Sequence, residues 1–163
     1  MKYCPSCAQE LVKKNIDGVT RAVCKQPECG FVYWDNPVPV VAAVVEYENQ
    51  IVLARNAQWP KGMFSMVTGY LERDESPESA VLREVREELG LDAQLQGFIG
   101  HYPFSMKNQL ILAFSVSGSG VIQLNHEIAE VKLLPKDALE PKQFGRFKLT
   151  ARIVQDWLES RED

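Results

Sequence analysis

At 163 residues, 45% hydrophobic and 25% charged, the chain has the make-up of one globular domain with a real core and room for a small appendage. Its formal net charge of -4 gives no broad basic footprint, which argues against duplex nucleic acid or an anionic membrane as partner. No stretch approaches the ~20 apolar residues that span a bilayer. The start, MKYCPSCAQE, has no apolar signal-peptide core, so a cytoplasmic location with reduced thiols is expected.

The first element is set by cysteines. Cys4, Cys7, Cys24 and Cys29 form C-x2-C, sixteen residues, then C-x4-C. Two short-spaced pairs put four thiolates at the tips of two turns, where one tetrahedral ion can be held. In a reducing compartment this reads as structural zinc; two disulfides or four unrelated cysteines are the alternatives. A segment this short cannot bury enough apolar surface to fold alone, and ligand binding energy would supply the difference.

GFVYWDNPVP follows as an extended linker or strand lead-in. VVAAVVEY, residues 40–47, is an apolar run ending at ENQ and followed by IVLAR, a hairpin whose first strand is buried on both faces. WPKGMFSMVTGYLE mixes turn signals with a short strand. Ser76 is a suitable N-cap, Pro77 suits the first helical position, and Gly90 can supply a left-handed stop, so a helix is expected over 77–89. LQGFIG, QLILAFSVS, VIQL and AEVKLLP are further candidate strands. A final amphipathic helix carries Leu149, Ile153, Val154, Trp157 and Leu158 at helical spacing. Strands surrounding a few helices indicate an α+β or α/β sandwich.

The helix REVREELG raises a difficulty. Val81, Leu82, Val85 and Leu89 make an apolar stripe about 100° wide, and Glu84, Glu87 and Glu88 fill the neighbouring sector. A solvated acidic face, helped by an Arg83–Glu87 pair, is one explanation. Yet Glu84 and Glu88 are like charges at i,i+4, which costs a few tenths of a kcal/mol. Glu87 and Glu88 also sit at the helix C-terminus, where the macrodipole disfavours anions by roughly 0.3–1 kcal/mol each. Clustered carboxylates of this kind suit a hard divalent cation. Gly69 opens the loop that leads into the helix, where backbone can approach an ion or phosphate closely. Glu75 can reach Arg83 if that loop folds back.

Gly69, Glu75 and then Arg83-Glu84-Val85-Arg86-Glu87-Glu88-Leu89-Gly90-Leu91 resemble a Nudix box at every fixed position. The resemblance implies a Nudix α/β/α sandwich around a mixed sheet, spanning 35–163 and preceded by a zinc ribbon over 1–34. It also implies a metal-dependent pyrophosphohydrolase that cleaves a nucleoside diphosphate linked to another moiety. Glu84 and Glu88 would be the principal Mg²⁺ or Mn²⁺ ligands, joined by Glu87 and the Gly69 carbonyl, while Arg83 and Glu75 orient loop and helix. The general base is left open among Glu84, Glu87, Glu127 and Glu130, and Glu127 aligns with a metal-binding glutamate of ribbon-bearing relatives. His101 and His126 read as surface or hydrogen-bonded residues. Tyr70, Phe104 and Trp59 are candidate platforms for a base or nicotinamide, with core packing as the alternative for each.

Ribbon followed by box resembles the NADH pyrophosphatase group, as do GYLERDES and DWLES. Downstream of the box, IGHYPFSMKNQ keeps only Pro103-Phe104 and Ser105 of that group's motif, so NADH or NAD, ADP-ribose and FAD stand as comparable substrate classes. Ribbon-bearing relatives also imply a homodimer. Two rivals are a nucleotide-sensing module without catalysis and a ribbon that binds RNA 5′ ends. The ribbon's Lys2, Lys13, Lys14, Arg21 and Lys25 outnumber Glu10, Asp17 and Glu28 by two, too few to favour nucleic acid.

Overall fold

The computed structural model describes residues 1–145 and 147–161, which divide into two units, Met1–Asn36 and Pro37–Asp163. In the first, Asp17 and Gly18 adopt φ of +49° and +84°, the positive values that a two-residue hairpin turn demands. They join β1 (Leu11–Ile16) to β2 (Val19–Cys24), and β3 (Val32–Tyr33) completes a three-stranded antiparallel sheet. The GFVYWDNPVP stretch therefore holds a short strand as well as a connection.

In the second unit, β4 (Val38–Tyr47) is buried continuously from Val40 to Val45, which is why its sequence shows no polar alternation. Glu48 and Asn49, at φ +48° and +60°, turn the chain into β5 (Gln50–Asn56). β8 (Gln109–Ser119) runs parallel to β4 over its whole length, from Val38 opposite Gln109 to Tyr47 opposite Gly118. The other edge of β4 is shared: β6 (Val67–Tyr70) pairs with Val40–Ala43, and β5 pairs with Val45–Tyr47. β7 (Asp92–Phe104) flanks β8 and β9 (Ile128–Pro135) flanks β5, giving the order β7-β8-β4-β5-β9 with β6 beside β4.

Alternate residues of β4 face two different helices, as the period of a strand requires. Val41, Ala43 and Val45 pack in the same cluster as Val81, Val85 and Leu89 of α1 (Pro77–Leu89). Val40, Ala42 and Val44 share the other cluster with Ile153, Val154 and Trp157 of α2 (Lys148–Glu159). The result is an α/β/α sandwich around a mixed sheet. Each large apolar side chain buried this way contributes roughly 1.5–3 kcal/mol, and the packing fixes Gly69 opposite Val41 in the ladder. Polar pins cross the second layer: Ser65 Oγ lies 2.9 Å from Thr150 Oγ1, and Tyr102 Oη donates to Asp156 at 2.6 Å.

Two expected elements differ. VIQL, residues 121–124, is not a strand; this segment runs outside the sheet, and Gln123 N–H bonds the Leu89 carbonyl at the end of α1. LQGFIG belongs to a strand of 13 residues, β7, whose register shifts between Leu95 and Gly97 and between Phe98 and Gly100. Those irregularities break the alternation that marks a strand in sequence. Among the described residues no helix is long and apolar enough to cross a membrane.

Candidate functional site

The start of α1 is built as its sequence dictates. Ser76 Oγ accepts from Ser79 N–H at 3.2 Å, Pro77 follows, and the helix stops at Gly90 with φ +70° and an N–H bond to the Arg86 carbonyl. The apolar stripe is driven into the first core cluster, and this carries the adjacent Glu88 inward until it is 6% exposed. Burial, together with the carboxylates of Glu84, Glu127 and Glu87, pushes the Glu88 carboxyl up to about 8. No described residue donates a hydrogen bond to that carboxylate.

Glu84 is raised too, first by burial and then by Glu87 and Glu127, with Arg83 acting against them. Its carboxyl group lies against the α-carbon of Gly69, where any Cβ would overlap Glu84 Cγ, Cδ and Oε1. Glycine is thus required at 69 by close approach of a functional side chain, not by its own backbone angles, which are outside the positive-φ region. Glu127 reaches the site from the loop before β9. It is brought there by Ala57 N–H, which donates to its carbonyl at 2.7 Å, and by Asn125 Oδ1, which accepts from its N–H at 2.9 Å.

Arg83 uses all five guanidinium N–H donors. Nε and Nη2 grip the two Glu75 oxygens at 2.9 and 3.0 Å, and Nη2 also donates to the Tyr70 carbonyl at 3.0 Å. Nη1 divides between Glu84 Oε1 at 2.8 Å and Glu87 Oε2 at 3.0 Å. Glu75 does fold back over the helix, and its bonds from Arg83 and from the Glu72 amide hold its carboxyl below the usual range. One face of the arginine secures the loop and the other holds two helix carboxylates by a single oxygen each, leaving their second oxygens for another cation.

Glu130 stands apart from this group: it pairs with Arg55 at 3.1 Å, and Arg55 also bonds the Trp59 carbonyl at 3.1 Å. His101 and His126 are exposed. Tyr70 is exposed beside the Gly69 end of β6 and accepts a hydrogen bond from Gln109 Nε2 at 2.9 Å. Phe104 packs partly into the second core cluster, and Trp59 is tilted against Phe147 with centroids 5.5 Å apart. Arg55 and Asn125 were not singled out by sequence. For Asn125 the signal was present, an Asn two residues ahead of a candidate Glu, a common turn spacing.

The four cysteines converge. All are free, and their sulfurs lie within 4.8 Å of one another, with Cys4 3.7 Å from Cys29 and Cys7 3.4 Å from Cys24. A disulfide needs about 2.05 Å, whereas sulfurs at ~2.3 Å around one tetrahedral ion lie about 3.8 Å apart. Burial would raise the Cys4 thiol, but amide hydrogen bonds from Ser6 and Cys7 outweigh it and bring it down to about 7. Burial and the neighbouring thiols push Cys24 up to about 12. Four free sulfurs gathered this closely could hold one shared cation. Among the described residues no set of carboxylates closes to the same limit.

Comparison with known proteins matches the family model described as NUDIX domain to residues 36–153. The NAD-capped RNA hydrolase NudC of Pseudomonas aeruginosa is 28% identical over 143 residues, covering 86% of this chain and 50% of the relative. The human mitochondrial NAD(P)H pyrophosphatase NUDT13 is 28% identical over 183 residues, covering 98% of this chain and 51% of the relative. The chain thus spans about half the length of these curated relatives. A crystal structure of a NUDIX hydrolase from Nitrosomonas europaea superposes with a TM-score of 0.84 at 22% identity, covering 99% of this chain and 93% of that one. An ADP-ribose pyrophosphatase from Streptococcus suis gives a TM-score of 0.63 at 24% identity, covering 78% and 94%. These two likenesses bear on the fold alone.

Proposed function

This chain belongs to the Nudix hydrolase family, and we propose that it is a Mg²⁺- or Mn²⁺-dependent pyrophosphohydrolase of nucleoside diphosphates linked to a second group. The observation that carries this is Glu88, a buried carboxyl facing Glu84, Glu87 and Glu127 with no cationic side chain of its own among the described residues. Glu84, Glu88, Glu87, Glu127 and the Gly69 carbonyl would hold the cation. When bound, the ion offsets the diphosphate's charge and lowers the pKa of water.

The chain's own residues supply the rest. Arg83, anchored by Glu75 and the Tyr70 carbonyl, keeps Glu84 and Glu87 aimed. A proton leaves the attacking water to Glu84, Glu87 or Glu127; Glu130 is disfavoured because Arg55 occupies it. Tyr70 offers an exposed ring for a base or nicotinamide, while Phe104 and Trp59 offer only partial faces. Cys4, Cys7, Cys24 and Cys29 hold structural Zn²⁺ in a ribbon. The names of the curated relatives favour the NADH and NAD class over ADP-ribose and FAD, and also support a second reading, an NAD-bearing RNA 5′ end. A cytoplasmic homodimer completes the proposal.

The test is a panel of NADH, NAD⁺, ADP-ribose, FAD, CoA, nucleoside triphosphates and NAD-capped RNA with Mg²⁺ or Mn²⁺, reading nucleotide and phosphate products. Glu88→Gln serves as control. Turnover of a dinucleotide by the native chain and its loss in a folded Glu88→Gln variant is the expected result. No turnover of any substrate, or full turnover by the variant, would end the proposal.

A further inference from the structure

Residues 121–124, expected as a strand, and the loop residues 125–127 that follow make a different set of bonds. Gln123 N–H donates to the Leu89 carbonyl at 2.8 Å and Asn125 N–H to the Glu88 carbonyl at 3.4 Å. Both acceptors belong to the last turn of α1, whose carbonyls have no partner within the helix. Gly90 permits the approach: a Cβ there would meet Gln123 Cβ at 2.9 Å and the Gln123 carbonyl oxygen at 3.0 Å. The Asn125 side chain then closes a turn, Oδ1 accepting from Glu127 N–H at 2.9 Å and from Ile128 N–H at 3.2 Å.

Asn125 is therefore bonded through its backbone to the residue carrying the buried carboxyl, and through its side chain to the residue whose carboxylate faces it. We infer that Asn125 is a positioning residue, one that sets the separation of the Glu88 and Glu127 carboxylates and so the shape of the cation seat. Ala57 fixes the Glu127 carbonyl but not its amide, so without the Asn125 acceptor the peptide can rotate and swing the exposed Glu127 side chain away. A residue that orients a ligand without touching the ion commonly governs affinity and rate by about 10- to 100-fold. This inference rests on Glu127 belonging to the proposed seat.

The whole 163-residue chain would be compared as native, Asn125→Ala, Asn125→Asp and Glu127→Gln. Three quantities are read: Mn²⁺ affinity by electron paramagnetic resonance, kcat and KM for the best substrate, and amide exchange in the metal-free protein. Asn125→Ala is expected to weaken Mn²⁺ binding and lower kcat by about 10- to 100-fold, with KM little changed. Exchange at Glu127 and Ile128 should speed up while β4 and β8 stay protected. Asn125→Asp, which keeps the acceptor, should restore most of both. Native Mn²⁺ affinity and kcat in Asn125→Ala overturn the inference, as does an Asp variant no better than Ala. Should Asn125→Ala fail to fold, Asn125→Ser replaces it, with a partial loss expected and native values overturning. If Glu127→Gln leaves metal binding and kcat unchanged, the placement of Glu127 fails instead; if it impairs both and Asn125→Ala neither, only the role of Asn125 fails.

Discussion

Gly69→Ala separates the chemistry of the site from its stability. Gly69 lies in β6 with a backbone that any L-residue can adopt. The three atoms nearest to an alanine methyl at this position all belong to one flexible side chain, Glu84. The methyl is therefore accommodated by expelling the Glu84 carboxylate and breaking its 2.8 Å bond to Arg83. Replacing glycine at a compatible position stabilises by about 0.4–1 kcal/mol through the unfolded chain. Losing a charge-assisted bond costs about 1.5–3 kcal/mol, part of which returns as Glu84 regains water. The net change is about 1 kcal/mol, a melting shift of roughly 2–4 °C for a chain of this size. Turnover should fall far more, because a displacement of about 1 Å at a reacting site can cost 10²-fold. The assay pairs a thermal melt with kcat/KM on the best substrate and Mn²⁺ affinity. Native turnover with native Mn²⁺ affinity would refute the account of Gly69, and so would a melt many degrees lower.

The metal-free protein should lose stability as pH rises. Glu88 moves from 4.5 in the unfolded chain to about 8 in the fold, so the folded state holds the proton longer and its advantage, full below 4.5, disappears as pH climbs through 8. The slope is at most about 1.4 kcal/mol per pH unit, and urea midpoints between pH 5 and 8 should show it in the native chain and not in Glu88→Gln; identical slopes would refute it. Cys24→Ser should lower zinc content and open the first 36 residues to protease, and unchanged zinc with unchanged proteolysis would refute the cation role of the cluster.

Local signals in the sequence were strongest where one residue type has one physical use. Ser76, Pro77 and Gly90 placed both ends of α1 because a cap, a fixed φ and a left-handed stop have few alternatives. The paired cysteines placed a four-sulfur cluster for the same reason. The hairpin of β1 and β2 is hard to read from sequence although Asp17-Gly18 is a strong turn signal, since the flanking LVKKNI puts two lysines side by side and blurs the alternation. The two register shifts hide the full length of β7 in the sequence, and the apolar residues of VIQL suit a strand. That segment instead meets the end of a helix, a long-range contact that no local window contains. The pairing of Glu130 with Arg55 across β5 and β9 likewise depends on sheet register. Glu127 could be named only through family resemblance, and the Asn125 turn that presents it only from the fold.

The C-terminal end of α1 carries more negative charge than its stability favours, and the fold relieves this selectively. Arg83 compensates Glu84 and Glu87, and loop amides compensate the Glu88 and Leu89 carbonyls. Among the described residues, the Glu88 carboxylate is left to burial and three like charges. Only a proton or a cation can resolve that position, so the two must compete for it. Below pH 8 each unit of acidification should therefore weaken Mn²⁺ binding by up to about tenfold, because the ion requires the carboxylate form; above pH 8 the dependence should level off. Glu88→Gln removes the competition along with one ligand, leaving binding weaker and flatter with pH. A native chain whose Mn²⁺ affinity is constant from pH 6 to 8 would mean that Glu88 is not in the seat at all.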